Sequence, residues 1–165
     1  MGAIQMHSRS KGEGFSLIEL LIVVAIILII AAIAIPNFMR ARIAANETSA
    51  VSSCRTINSA EINYNSYFQQ GFSSTLAQLG PPPGGQPGIN QADMLDDVLA
   101  SGVKSGYTFA YTPTNLTNGR YDAYLLNANP SVPQRSGSRY FFSDPTGIIR
   151  VAYGAEAGAS DSPID

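Results

Sequence analysis

FSLIELLIVVAIILIIAAIAI, residues 15–35, decides how this chain is built. The run is apolar but for Ser16 and one ionisable side chain, Glu19. As an α-helix rising 1.5 Å per residue it would span about 30 Å, the thickness of a bilayer's hydrocarbon core. The character changes on both sides. Residues 1–14, MGAIQMHSRSKGEG, are short and polar, with Arg9 and Lys11 as their full positive charges. After the run come Pro36, Asn37 and Phe38, then Arg40 and Arg42. Positive charge therefore flanks the span at both ends, and the positive-inside rule alone does not orient it.

Two ordinary readings compete for such a run. A secretory signal has an apolar region of about 7–15 residues ending in a small-residue cleavage site. Here the run is longer and ends at Pro36-Asn37-Phe38, without that pattern. The other reading is a membrane anchor that is never processed. Neither accounts for Glu19. A carboxylate near the centre of a spanning helix costs about 2.5–3.5 kcal/mol on insertion scales, less towards an end, and marks a functional candidate by default. The plain alternative places Glu19 at the lipid interface.

The residues around Glu19 carry a pattern. Lys11-Gly12-Glu13-Gly14-Phe15-Ser16-Leu17-Ile18-Glu19-Leu20 closely resembles the processing site of type IV prepilins and type II secretion pseudopilins. The resemblance covers about the first 40 residues. It implies that a membrane peptidase cuts between Gly14 and Phe15 and methylates the new amine of Phe15. Residues 1–14 would then be a leader, and Glu19 would become the fifth residue of the mature chain. Pro36 matches a proline that commonly follows the span in this family, and it should kink or loosen the helix. Met6 is an alternative start. The resemblance further implies self-assembly into a helical filament, an inner-membrane assembly platform, and residence in the inner membrane before assembly and on the cell surface afterwards. Glu19 of one subunit would meet the Phe15 amine of the next and set the axial register. Apolar burial alone has no register, because it is non-directional.

Composition excludes other classes. The chain has 165 residues, of which 13% are charged and 45% hydrophobic, and a net charge of −2. It lacks the basic stripe that a phosphate backbone demands, so nucleic acid is not an expected partner. The single cysteine, Cys54, forms no intrachain disulfide and reads as a small buried hydrophobe. The one histidine, His7, falls in the leader, so no Cys/His metal framework and no histidine-based catalytic set is available to a processed chain. Asp93, Asp96 and Asp97 read as the solvated N-terminal half of a short helix rather than a cation site. No cofactor, metal or catalytic residue is expected.

Past Pro36 the residues 36–68 continue as an amphipathic helix: Val51, Cys54, Ile57, Tyr64 and Phe68 recur at helical spacing, with Glu61 near the same face. Arg55, Asn58, Asn63 and Asn65 read as its polar side. Residues 69–165 form a head. GPPPGGQPG, residues 80–88, is a loop. Phe72, Leu76 and Leu79 pin the segment before it. Residues 91–101 read as a short helix capped by Asn90 and ended by Gly102. Strands are expected from Tyr107, from Tyr121 to Asn127, from Ser138 to Ser143 and from Ile148 to Val151, with turns at Thr117-Asn118-Gly119 and Asp144-Pro145-Thr146-Gly147. GAEAGASDSPID, residues 154–165, is expected to fray.

The expected fold is α+β, a long N-terminal helix whose second half packs on a small antiparallel sheet. The expected function is a structural filament subunit and not an enzyme. The alternatives are a periplasmic pseudopilin and a single-span anchored binding module that does not polymerise.

Overall fold

The computed structural model describes residues 15–164. The chain divides into two compact units, Met1–Phe38 and Met39–Asp165. The architecture is the expected α+β arrangement.

Helix α1, Leu17–Phe68, begins at Ser16, whose carbonyl accepts from the Leu20 N–H at 3.2 Å. It passes through Pro36, where the missing N–H leaves the Ala32 carbonyl without its helical donor. It ends where Gln69 turns left-handed (φ 55°). Gly71 follows with φ 80°, and a Cβ there would collide with the Tyr121 carbonyl. Only glycine fits that crossing.

From Met39 onward, α1 buries Ala50, Cys54, Ile57, Ala60 and Tyr64 on one face; of the expected stripe, Cys54, Ile57 and Tyr64 are buried, and Val51 and Phe68 are partly buried against the core. Opposite lies a six-stranded antiparallel sheet in sequential order: β1 Val103–Lys104, β2 Tyr107–Thr117, β3 Arg120–Pro130, β4 Arg139–Ser143, β5 Arg150–Tyr153 and β6 Ser162–Pro163. Residues pointing to one face recur every second position. The register lines them up across strands: Phe109 with Ala128, Tyr111 with Leu126, Ala128 with Phe141, and Phe141 with Val151. These side chains and those of α1 form one core cluster. Fully burying a large apolar side chain contributes about 1.5–3 kcal/mol, so this face is the main source of the head's stability. The β2–β3 turn is Asn118-Gly119, with φ 51° and 83°, the paired left-handed conformation that a two-residue hairpin requires.

Three expectations are corrected. The helix expected over 91–101 is only α2, Asp97–Ala100, and its cap is Asp96 rather than Asn90. The residues before it bond instead to the 3-10 turn Leu76–Leu79 and its flanks: Ala92 N–H to the Gln78 carbonyl, Met94 N–H to the Leu79 carbonyl. Asp93, at φ 55°, lies outside any helix. The final hairpin strand starts at Arg150, two residues later than expected, because the Asp144–Gly147 turn is followed by Ile149, which enters the core. The C-terminal segment does not fray. β6 pairs with β5, Ile164 N–H donates to the Ile149 carbonyl at 2.9 Å, and Ala157 is buried. Asn127 Nδ2 holds the Ala157 carbonyl at 2.8 Å on the sheet's other face.

Candidate functional site: the N-terminal segment and its support

Ser16-Leu17-Ile18-Glu19 has the form of a capping box, a Ser followed three residues later by Glu. The structure makes half of that box. Ser16 N–H donates to a Glu19 carboxylate oxygen at 2.9 Å. The carboxylate therefore satisfies one of the orphan donors at the helix start, and its charge sits at the positive end of the helix dipole. Glu19 and Phe15 are both exposed, Phe15 at 80%. Gly14, the residue before the expected cut, lies outside the described residues, as do His7, Arg9 and Lys11.

From Leu17 to Phe38 the apolar side chains face outward: Leu17, Leu21, Ile29, Ile33 and Phe38 are all well exposed. α1 is the one helix among the described residues long and apolar enough to cross a membrane. Such a surface is stable only in lipid or against other apolar helices.

The head fixes its part of α1 with buried polar groups. Glu47 is 6% exposed. Its Oε1 accepts from Ser138 N–H (2.8 Å), Ser138 Oγ (2.8 Å) and Arg139 N–H (3.2 Å), and its Oε2 accepts from Arg139 Nε (2.7 Å). Burial alone would raise this carboxyl, but the Ser138 and Arg139 donors outweigh it and hold the group below its ordinary value. One helical stretch on, Asn58 donates to Ser143 Oγ (2.8 Å) and accepts from the Tyr124 hydroxyl (3.0 Å). Glu61, wholly buried, accepts from Ser73 N–H (3.0 Å) and Ser73 Oγ. Here burial wins over the Ser73 bonds and the carboxyl is raised. Burial also pushes the Cys54 thiol up to about 12, which leaves it unreactive.

Phe15 lies just before α1 and Glu19 in its first turn, four residues apart in sequence, while Pro36 is far along the helix. The polar anchors were not legible as such. Asn58, expected on the polar face, is buried. Stepping back seven residues from Cys54 along the apolar stripe reaches Glu47, so the period itself carried that signal. Asp96 pairs with Lys104 (2.8 Å) and Asp122 with Arg120 (3.0 Å). No group of three potential metal ligands occurs among the described residues.

Residues 9–35 match the prokaryotic N-terminal methylation motif. The type IV major pilin protein PilA of Myxococcus xanthus is 43% identical over 73 residues, 44% of this chain and 33% of that protein. The type IV wide pilus major component PilA4 of Thermus thermophilus is 64% identical over 38 residues, 23% of this chain and 29% of that protein. The chain is similar to type IV pilins over part of its length. It spans about a third of the length of these relatives. The matched stretch includes Gly14, Phe15 and Glu19. No solved structure matches this chain.

Proposed function

We propose that the chain is the precursor of a structural subunit of a type IV pilus-like filament, without catalytic activity of its own. A prepilin peptidase cuts between Gly14 and Phe15 and methylates Phe15. The processed chain rests in the inner membrane through residues 15–35 with its head outside the cytoplasm. It then joins copies of itself at an assembly platform and ends on the cell surface. The observation that carries this reading is an outward-facing apolar helix start with one carboxylate, Glu19, placed five residues after Gly14.

The physics of the step is a matter of charge pairing. Cutting before Phe15 converts an amide into a cationic amine. Leaving that charge unpaired in an apolar helix bundle is expensive, whereas a pair costs much less. Glu19 on a neighbouring subunit supplies the partner. Its intrachain bond to Ser16 uses one oxygen of the carboxylate and leaves the other to accept.

Mass spectrometry of the mature protein tests the reading. Phe15 should come first, with one methyl on its nitrogen, and Gly14→Ala should slow or block the cut. A mature N-terminus beyond Ile35 would mean a secretory signal. An N-methylated Phe15 on a protein absent from sheared surface filaments would mean a processed anchor that does not polymerise.

A further inference from the structure

The head carries a cleft of about 390 Å³ that the filament reading does not use. Its lining includes Met39, Arg42, Asn46, Ser105, Val132 and Arg135. Asn46 Nδ2 donates to the Ser136 carbonyl (2.8 Å), tying α1 to the 132–136 loop, and Ser49 Oγ donates to Ser105 Oγ (2.9 Å). Both arginines are exposed, and among the described residues neither has a carboxylate partner. Met39 and Val132 add half-exposed apolar surface, at 45% and 48%. Two unpaired guanidiniums, hydroxyls and an apolar lip together suit an anion attached to something apolar.

Chain position narrows the choice. Arg42 follows Ile35, the last residue of the apolar run, by seven residues. At 1.5 Å per residue that is about 10 Å of helix. The headgroup layer extends about 5–8 Å beyond the hydrocarbon core, and a long arginine side chain reaches back into it. Whatever the angle between the two units, a chain anchored by residues 15–35 keeps Arg42 within reach of lipid phosphates.

We propose that, before assembly, this cleft seats the phosphate of an anionic phospholipid in the leaflet from which the span emerges, with Arg42 and Arg135 pairing the phosphate and Met39 and Val132 against its glycerol end. The inference rests on the membrane-anchored reading above. Guanidinium pairs phosphate oxygens bidentately. Each arginine near an anionic surface favours the docked head by about fivefold, so two favour it by about thirtyfold, and salt weakens both. Entry into a filament then requires the head to leave the lipid.

The experiment uses the full chain with Val132→Cys, reconstituted into vesicles. Cys54 is buried and its thiol unreactive, so a spin label goes to position 132 alone. One set of vesicles holds equal parts phosphatidylglycerol and phosphatidylcholine, the other phosphatidylcholine only. Nickel-chelating headgroups report how close the label comes to the surface. Flotation of the vesicles first establishes anchoring. The expected result is strong relaxation in the anionic vesicles, weakened by salt, with a docked-to-free ratio about thirtyfold lower in Arg42→Gln/Arg135→Gln. A chain that does not float overturns the anchor and this inference together. A floating chain whose label ignores lipid charge and both substitutions overturns the inference alone. So does a label whose environment follows the protein-to-lipid ratio instead, which would assign the cleft to a second copy, whose exposed Asp93 and Asp97 offer the counter-charge.

Discussion

Replacing Glu47 by Gln tests how the head holds its helix. The amide is the same size, and its oxygen still accepts from Ser138. Its NH2 group, however, then faces Arg139 Nε, which now donates to Glu47 Oε2 at 2.7 Å, so two donors meet. Breaking a buried pair by removing one charge costs about 3–5 kcal/mol, and Arg139, with a third of its side chain exposed, regains part of that from water. The expected loss is roughly 2–3 kcal/mol. For a domain of this size each kcal/mol lowers Tm by roughly 3–5 °C, so the drop should be roughly 6–15 °C. The assay is thermal and urea unfolding of a fragment beginning at residue 41, within the unit Met39–Asp165. The pH dependence has a fixed sign. The folded pKa of Glu47 is lowered, so its stabilisation is present above the ordinary value of 4.5 and is lost as pH falls through the folded pKa. The parent should therefore approach the variant on acidification. A loss under about 0.5 kcal/mol at neutral pH, or one that stays unchanged down through the carboxylate range, would refute the assigned role of this pair.

Glu61→Gln should do the opposite. The folded pKa of Glu61 is raised, so the parent loses stability as pH rises through it, and the variant should be the more stable in neutral urea melts and indistinguishable in acid. Gly71→Ala should cost roughly 2–4 kcal/mol in the same melts, since its Cβ meets the Tyr121 carbonyl and its φ is 80°; a change near zero would mean that the α1–β3 crossing shifts freely. Glu19→Ala should leave membrane insertion and the cut at Gly14 intact while surface filaments, counted by electron microscopy, fall sharply, because an unpaired buried amine costs about 3–5 kcal/mol. Glu19→Gln should be a partial defect, and normal filament numbers with Glu19→Ala would make Glu19 merely interfacial.

What the sequence disclosed follows the strength of local rules. The apolar run, the end of α1 at Phe68 and the Asn118-Gly119 turn are each fixed by neighbours in the chain, through length, a run without glycine or proline, and left-handed backbone. The order of the strands was not legible, nor were β1 and β6, each two residues long and held by partners elsewhere. Residues 91–96 look helical by composition. They are claimed by backbone bonds to the Leu76–Leu79 turn, which no propensity discloses. Gly14, Phe15 and Glu19 could be named because their pattern is linear. The supports at Glu47 and Asn58 depend on Ser138, Arg139, Tyr124 and Ser143, more than 60 residues away.

The two stretches of α1 obey opposite rules for one reason. In lipid an unsatisfied polar group has no water to turn to, so residues 20–35 carry none on their side chains. In the head, water surrounds the fold and apolar contact alone would leave the helix free to slide by a turn on the sheet, since burial is indifferent to which small side chain meets which. Glu47, Asn58 and Glu61 remove that freedom. Each bonds to groups that exist at one place only: the start of β4, the β3–β4 pair, and the Ser73 segment. A slip of one turn, about 5.4 Å, breaks all three sets at once and strands two carboxylates in the core. The costs of burying these charges, visible as the raised carboxyl of Glu61, therefore specify a single seating of the head on its helix, where an apolar stripe would have allowed several.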